Sequence, residues 1–417
     1  MKAVLLTAFN TLFICGLSPA TSDAFLPTSP IFTHEPPQLV QFSNSKGAHV
    51  SCAARGDPFP HLTWTKEDGK EVPNIAEVVY VRPDGTLIFQ PFSPDKYQQE
   101  IHSSSYRCLA TNSVGTIGSR KVTVEAVIDN KYNVRVYSDY ITQGNTAVLR
   151  CQIPPFLKGV AKVTSWSRDD GIVIHLDEEY GGKHSLLPSG ELLVKDVQRK
   201  DAYHSYRCQT RNRLTGFIVE SSSAKLIVTE SHNVVPAKII HRETHVRTPR
   251  GRKVLLPCVA QGYPIPSCSW LRNQNGRQKY IDGDPHLQVL GCSLMVREPG
   301  VRYSGKYTCF ANNTVGTDKA ETELLVYEHL SAEVFPAVQK VTTGQSVIFN
   351  CSISGYPVQM ITWMKDMRPI VSQGRFNILY SNILSISSVR KQDTGIYQCF
   401  VENSFDSAQA LGTLVLA

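Results

Sequence analysis

The run Leu384-Ser-Ile-Ser-Ser-Val-Arg-Lys-Gln-Asp-Thr-Gly-Ile-Tyr-Gln-Cys399 decides the fold. Leu384, Ile386 and Val389 give the alternation of a half-buried strand. Asp393 and Gly395 turn the corner, and Tyr397 stands two positions before Cys399. Upstream, Cys351 is followed by Trp363. Such a set describes two facing sheets joined by a disulfide. The Trp ring packs on the bridge, and the Tyr marks a corner.

The same set occurs four times. Cys52, Trp64, Tyr106 and Cys108 form the first copy; Cys151, Trp166, Tyr206 and Cys208 the second; Cys258, Trp270, Tyr307 and Cys309 the third. All 4 tryptophans are used. A repeat of about 100 residues fixes the architecture before any local argument. The expected fold is all-β, four tandem immunoglobulin β-sandwiches. The expected disulfides are Cys52–Cys108, Cys151–Cys208, Cys258–Cys309 and Cys351–Cys399. Gly56-Asp57-Pro58, Gly262-Tyr263-Pro264 and Gly355-Tyr356-Pro357 supply Gly-x-Pro turns of the I-set type. After each second cysteine stands an Asn (Asn112, Asn212, Asn313, Asn403), suited to a hairpin turn.

Leu5–Leu17 is an apolar run behind Lys2 and ahead of small residues, which reads as a secretory signal peptide. Removing residues 1–24 takes Cys15 with it and leaves an even number of the 11 cysteines, suited to an oxidising compartment. The domains are expected at 25–127, 128–230, 236–327 and 328–417. No later run has the roughly 20 apolar residues of a membrane span. The chain is therefore expected outside the cell, secreted as given or as the ectodomain of a plasma-membrane protein. The net charge of +7 is spread over 417 residues and points to solubility, not to nucleic acid.

Cys208 to Cys258 is longer than the equivalent segments from Cys108 to Cys151 and from Cys309 to Cys351. The extra residues include the connector Ser231-His232-Asn233-Val234-Val235. About eight extended residues reach roughly 26 Å, enough for the second pair of domains to fold back on the first. The expectation is a horseshoe, first domain on fourth and second on third. The competing reading is an extended rod with one flexible joint.

Long strings then carry a resemblance. Glu35-Pro36-Pro37, Phe42-Ser43-Asn44-Ser45, Tyr106-Arg107-Cys108 and Asn112-Ser113-Val114-Gly115-Thr116-Ile117 stand in the first domain. Gly144-Asn145-Thr146-Ala147-Val148-Leu149-Arg150-Cys151, Leu187-Pro188-Ser189-Gly190-Glu191-Leu192 and Arg213-Leu214-Thr215-Gly216 stand in the second. These resemble the N-terminal domains of the arthropod Down syndrome cell adhesion molecule (Dscam) family. The third and fourth domains match more loosely. The resemblance implies a four-domain horseshoe and homophilic recognition, in neuronal self-recognition or in immunity. It also implies pairing of identical molecules through the second and third domains, with the A/A′ edge strand of the second, here Tyr132–Ile141.

That stretch is itself a candidate sheet edge, open to strand addition. In a two-fold dimer centred on Tyr137, Arg135 faces Asp139 of the copy and Val134 faces Tyr140. Tyr132, Val134, Arg135, Val136, Tyr137, Asp139 and Tyr140 are the candidate contacts. Opposed opposite charges contribute roughly 0.2–1 kcal/mol each. The matching place in the third domain supplies Ile240, Arg242 and Glu243, with His241 and His245 beside them to make the contact pH-sensitive.

Cys268 and Cys292 stand two residues before Trp270 and Leu294, so both point inward at one end of the third sandwich. A second disulfide, Cys268–Cys292, is expected there. Asn312 and Asn350 head glycosylation triplets, Asn312 the better placed because Asn350 adjoins Cys351. Arg55-Gly56-Asp57 matches an integrin-type attachment triplet, yet Gly56 belongs to the domain's own turn. Arg247, Arg250, Arg252 and Lys253 form a basic cluster, read as a solvated loop before a polyanion site. No nucleophile elbow, phosphate loop or zinc signature is present, so no enzyme, cofactor or metal is expected. The function expected is homophilic cell adhesion. The alternative is a soluble hemolin-like immune protein binding microbial surfaces.

Overall fold

The computed structural model describes residues 27–176, 180–230, 233–274 and 277–417. The signal-peptide expectation at 1–24 and the connector residues Ser231 and His232 lie outside the described residues. Four two-sheet β-sandwiches follow one another along the chain. In the first, Ala48–Val50, Leu87–Phe89 and Val79–Val81 form one sheet. Leu39–Ser43, Val122–Val127, Ser103–Asn112 and His61–Lys66 form the other. Leu39–Ser43 runs parallel to Val122–Val127, whereas the remaining pairs are antiparallel. The parallel pair closes the sheet with a strand that has crossed over from the opposite layer.

Each core is organised as the cysteine and tryptophan spacing requires. Trp64, Trp166, Trp270 and Trp363 are almost wholly buried, each in one cluster with its domain's disulfide cysteines. A buried indole N–H usually finds a partner, and in the first three domains a turn carbonyl supplies it, whereas Trp363 Nε1 is buried without one among the described residues. Trp64 donates to Gly85 at 2.7 Å, Trp166 to Gly190 at 3.0 Å and Trp270 to Cys292 at 2.8 Å. The corner tyrosines donate backwards: Tyr106 to the carbonyl of Ile101, Tyr307 to Tyr303 and Tyr397 to Asp393, at 2.7, 2.8 and 2.6 Å. Tyr206 departs from this pattern, its hydroxyl lying 3.4 Å from Nε2 of His184. Disulfides join Cys52–Cys108, Cys151–Cys208, Cys258–Cys309 and Cys351–Cys399, and a fifth joins Cys268–Cys292.

Asp393 shows how a corner is charged. Its carboxylate takes two bonds from the Arg375 guanidinium, at 2.6 and 3.1 Å, and one from the Arg390 N–H at 2.8 Å. Burial alone raises the Asp393 pKa, but these bonds to the charged form outweigh it, and the net direction is down from 3.8. A carboxylate depressed in the folded state adds stability that is present above its unfolded pKa. That stability is lost as the pH falls below 3.8 through the folded value. Asp393→Asn is therefore expected to lower the fourth domain's melting temperature by several degrees at pH 7. The difference from the parent should shrink below pH 4, as differential scanning calorimetry will show.

The chain bends between its second and third domains. The strand Gly316–Phe335 runs straight from the third sandwich into the fourth, pairing with Gly305–Asn313 in one and Val347–Tyr356 in the other. The first junction is clamped by side chains. Asn44 accepts the Asp129 N–H at 2.7 Å and donates to the Phe92 carbonyl at 2.8 Å. Lys46 reaches the Leu214 carbonyl at 2.6 Å, and Arg213 bonds Gln41.

Two stiff pairs joined at a bend make the horseshoe. Between the first and fourth domains, Ala54, Ala110, Ile117 and Ile396 form a buried apolar cluster. Gln398 spans the seam: its Oε1 accepts the Gly118 N–H at 2.9 Å and its Nε2 donates to the Gly118 carbonyl at 3.0 Å. The Arg107 guanidinium lies 4.9 Å from the Phe400 ring centre. A side chain at Gly118 would collide with Met367, so glycine permits the close approach here. Between the second and third domains, Val148, Leu187 and Leu193 meet Leu255, Val259 and Met295. Asn145 bonds both backbone groups of Gly262, at 3.1 and 3.0 Å.

Candidate recognition surface

The second domain opens with Lys131–Ser138, which is strand-like in side-chain alternation but joins a sheet only at Arg135. There the Gln152 N–H donates to the Arg135 carbonyl at 2.8 Å, and the Arg135 N–H points back to the Gln152 carbonyl at 3.4 Å. The alternation assigns directions. Tyr132, Val134 and Val136 are 8%, 3% and 5% exposed and belong to the domain core. Asn133, Arg135 and Tyr137 face solvent. This corrects the expected contact set: Tyr132, Val134 and Val136 have no side chain to offer a partner, because their apolar groups fill the sandwich. Among the described residues, no intramolecular hydrogen bond reaches the backbone N–H or C=O of Val134 or Val136. They form an open sheet edge through backbone alone.

The chain then changes sheets. Asp139–Thr142 pairs in parallel with Leu226–Thr229 in the opposite layer, and Ser138 Oγ accepts the Lys225 N–H at 3.1 Å across the step. Arg135 and Asp139 therefore stand on edges of different sheets. A register centred on Tyr137 places Val134 opposite Tyr140, a pairing in which Val134 has only backbone to contribute. Tyr137 and Tyr140 are 63% and 70% exposed, whereas Asp139 is half-buried. The sequence signal missed here is the apolar pair Phe217-Ile218, which follows Gly216 in the hairpin and is also exposed.

The third-domain candidates are divided by the domain contact. Ile240 packs against the second domain, and its carbonyl accepts the Arg150 guanidinium at 2.9 Å. The fold-back engages part of its side chain, which is half-buried. Arg242 is exposed and donates to the Glu321 carbonyl at 2.8 Å. Glu243 is half-buried. His241 is buried, and burial pushes its pKa below 6.5.

Arg55, Gly56 and Asp57 lie within the paired strand Ala53–Asp57, where the Asp57 N–H donates to Thr28 Oγ1 at 2.8 Å. The attachment triplet is thus part of a sheet, not a mobile tip. Asn350 is exposed and accepts Asn382 Nδ2 at 3.2 Å, whereas Asn312 is half-buried. In the basic cluster, Arg250 pairs with Glu328 at 2.7 Å and Arg247 lies over the Phe405 ring. No described helix is long and apolar enough to cross a membrane.

Comparisons with known proteins agree with this architecture. Residues 331–415 match the immunoglobulin I-set domain family and residues 236–313 an immunoglobulin domain family. The chain is 37% identical to the cell adhesion molecule Dscam1 of Drosophila melanogaster, over all of this chain and 21% of that protein. It is 33% identical to DSCAM of Homo sapiens, over 94% of this chain and 19% of that protein. The chain thus spans about a fifth of the length of these relatives. A crystal structure of the N-terminal four Ig domains of Dscam1 isoform 7.44 superposes with a TM-score of 0.85 at 36% identity, covering 94% of this chain and 100% of that one. A second solved structure, described as the structural basis for Dscam isoform specificity, gives the same TM-score, identity and coverage. With the sandwiches, the fold-back and these full-length matches together, the chain belongs to the Dscam family of cell adhesion molecules and corresponds to its four N-terminal immunoglobulin domains.

Proposed function

We propose that this chain is the extracellular recognition end of a cell-adhesion protein and that it pairs with identical copies of itself. The observation that carries the reading is the open edge of the second domain. Val134 and Val136 offer free backbone groups there, flanked by exposed Arg135, Tyr137 and Tyr140. Strand addition across a two-fold axis would satisfy that backbone and bury the rings. Asp139 and, in the third domain, Arg242 and Glu243 complete the candidate surface. Five disulfides suit an oxidising, extracellular setting. The chemistry of this role is binding, with no catalysis.

Beads of two colours coated with the chain test this reading. The parent is expected to form mixed aggregates, and Tyr137→Asp with Tyr140→Asp to abolish them. Charge reversal then tests the register. Arg135→Asp should weaken aggregation about tenfold or more, and adding Asp139→Arg should restore it if the axis passes through Tyr137. Saturable binding to microbial surfaces, with beads that never aggregate, would move the chain to the hemolin-like immune role.

A further inference from the structure

One side-chain cluster at the fold-back shares only Glu243 with the candidate pairing surface. His241 ends the strand Val235–Arg242, which pairs with Cys258–Tyr263 in broken register. Ile239 faces Ala260 and His241 faces Val259, so Ile240 is the extra residue of a bulge. A bulge re-aims the side chains around it. Here Ile240 packs against the second domain, and His241 is buried beside Glu191 of that domain.

One ring nitrogen of His241 and one carboxylate oxygen each from Glu191 and Glu243 lie within 4.8 Å of one another. His241 is 8% exposed, and its Nε2 is fully buried with no hydrogen-bond partner. A buried polar atom left unbonded costs about 1–3 kcal/mol, so a native structure that keeps one calls for an explanation. Two carboxylates beside an imidazole whose Nε2 lacks a hydrogen-bond partner bring two anionic groups and a nitrogen donor together. Glu191 keeps its turn through the Ser189 hydroxyl, which donates to its Oε2, and through its own carbonyl, which accepts the Leu187 N–H at 2.9 Å. The Glu243 carbonyl is held by the Thr322 hydroxyl at 2.7 Å. Of the cations nearby, Arg150 turns its exposed guanidinium to the Ile240 carbonyl, and Arg247, Arg252 and Lys253 line a cavity with Glu243.

We propose that Glu191, His241 and Glu243 bind a divalent zinc-class cation that clamps the second domain to the third. One imidazole and two carboxylates are three protein ligands, leaving a fourth position for water. Tetrahedral zinc with bonds of about 2.1 Å sets its ligands roughly 3.4 Å apart, within a small rotamer adjustment of the present spacing. The imidazole selects against calcium and magnesium, which take oxygen ligands. The other cluster of this kind among the described residues is Asp169, Asp170 and His204. It is already satisfied: His204 bonds Asp169 at 2.9 Å, and Arg168 bonds Asp170. The bridging ligands come from both domains, so the metal would hold the bend closed.

The test is isothermal titration of zinc chloride into the metal-free full chain, with thermal melting in parallel. One zinc per chain is expected, with a rise in melting temperature, and neither calcium chloride nor magnesium chloride should replace it. Glu191→Gln and Glu243→Gln should each weaken zinc at least tenfold, and His241→Gln should abolish binding. His204→Gln should leave it unchanged. Absence of zinc binding would overturn the proposal. So would binding that His204→Gln removes, or that Glu191→Gln and Glu243→Gln shift less than threefold. Those two glutamates are only half-buried, so the test stands even if the His241 variant fails to fold.

Discussion

Ile396→Asp opens the horseshoe and leaves all four sandwiches folded. Ile396 alternates with Tyr397 on one strand. Tyr397 fills the fourth domain's core, while Ile396 faces outward and is buried against the first domain. The contact is direct, since a side chain at Gly115 would meet Ile396 at 3.3 Å. Losing a buried Ile forfeits about 1.5–3 kcal/mol, and an unpaired carboxylate in its place costs several more. The seam is then left to the Arg107–Phe400 contact and to polar bonds such as those of Gln398 to Gly118 and Gln409 to Glu35, each worth roughly 1 kcal/mol net. Small-angle X-ray scattering should show a larger radius of gyration and a second maximum in the distance distribution. Far-UV circular dichroism should be unchanged.

Replacing Cys351 and Cys399 together by Ala will have a large effect on stability. The bridge spans 48 residues, and in the chain-entropy account such a link is worth about 4 kcal/mol. Trp363 and Phe349 share the cluster with these sulfurs, so the change also leaves a packing defect. The fourth domain should melt first, as a separate calorimetric transition well below the others. Removing Cys268 and Cys292 instead opens a link of 24 residues, worth about 3.5 kcal/mol by the same relation. That pair is half-buried beside Ala237, Ala260 and Ala311, with Cys292 at the margin of the Trp270 cluster, so its loss should shift only the third domain, and by less.

The sandwiches were legible because their determinants sit close together in sequence. Cysteine, tryptophan and tyrosine at set spacings specify which strands face each other, and the strong size of those side chains leaves few other packings. The fold-back was legible for another reason: the Cys208–Cys258 segment is long, while the strand continuing from Gly316 to Phe335 has no slack. The strings that carried the family resemblance turn out to be joints. Asn44 and Arg213 clamp the first junction, and Asn145 and Leu187 meet the third domain.

The recognition surface was only half legible. Both parities of Tyr132–Ile141 carry large apolar groups, so alternation alone does not say which face is the core. Val134 and Val136 go in, whereas Tyr137 and Tyr140 stay out because the chain steps from one sheet to the other at Ser138. The turn of Ile240 toward the second domain comes from a one-residue bulge, which hydrophobic pattern does not reveal. The Glu191, His241 and Glu243 cluster was invisible to ligand spacing, since its members come from two domains.

Sedimentation equilibrium of the oxidised chain over a concentration series tests self-recognition most directly. The account predicts a reversible monomer–dimer equilibrium that Tyr137→Asp with Tyr140→Asp shifts to monomer, while Tyr203→Asp, exposed elsewhere on the second domain, leaves it unchanged. A chain that stays monomeric at every concentration, or a dimer indifferent to both edge tyrosines, would contradict it.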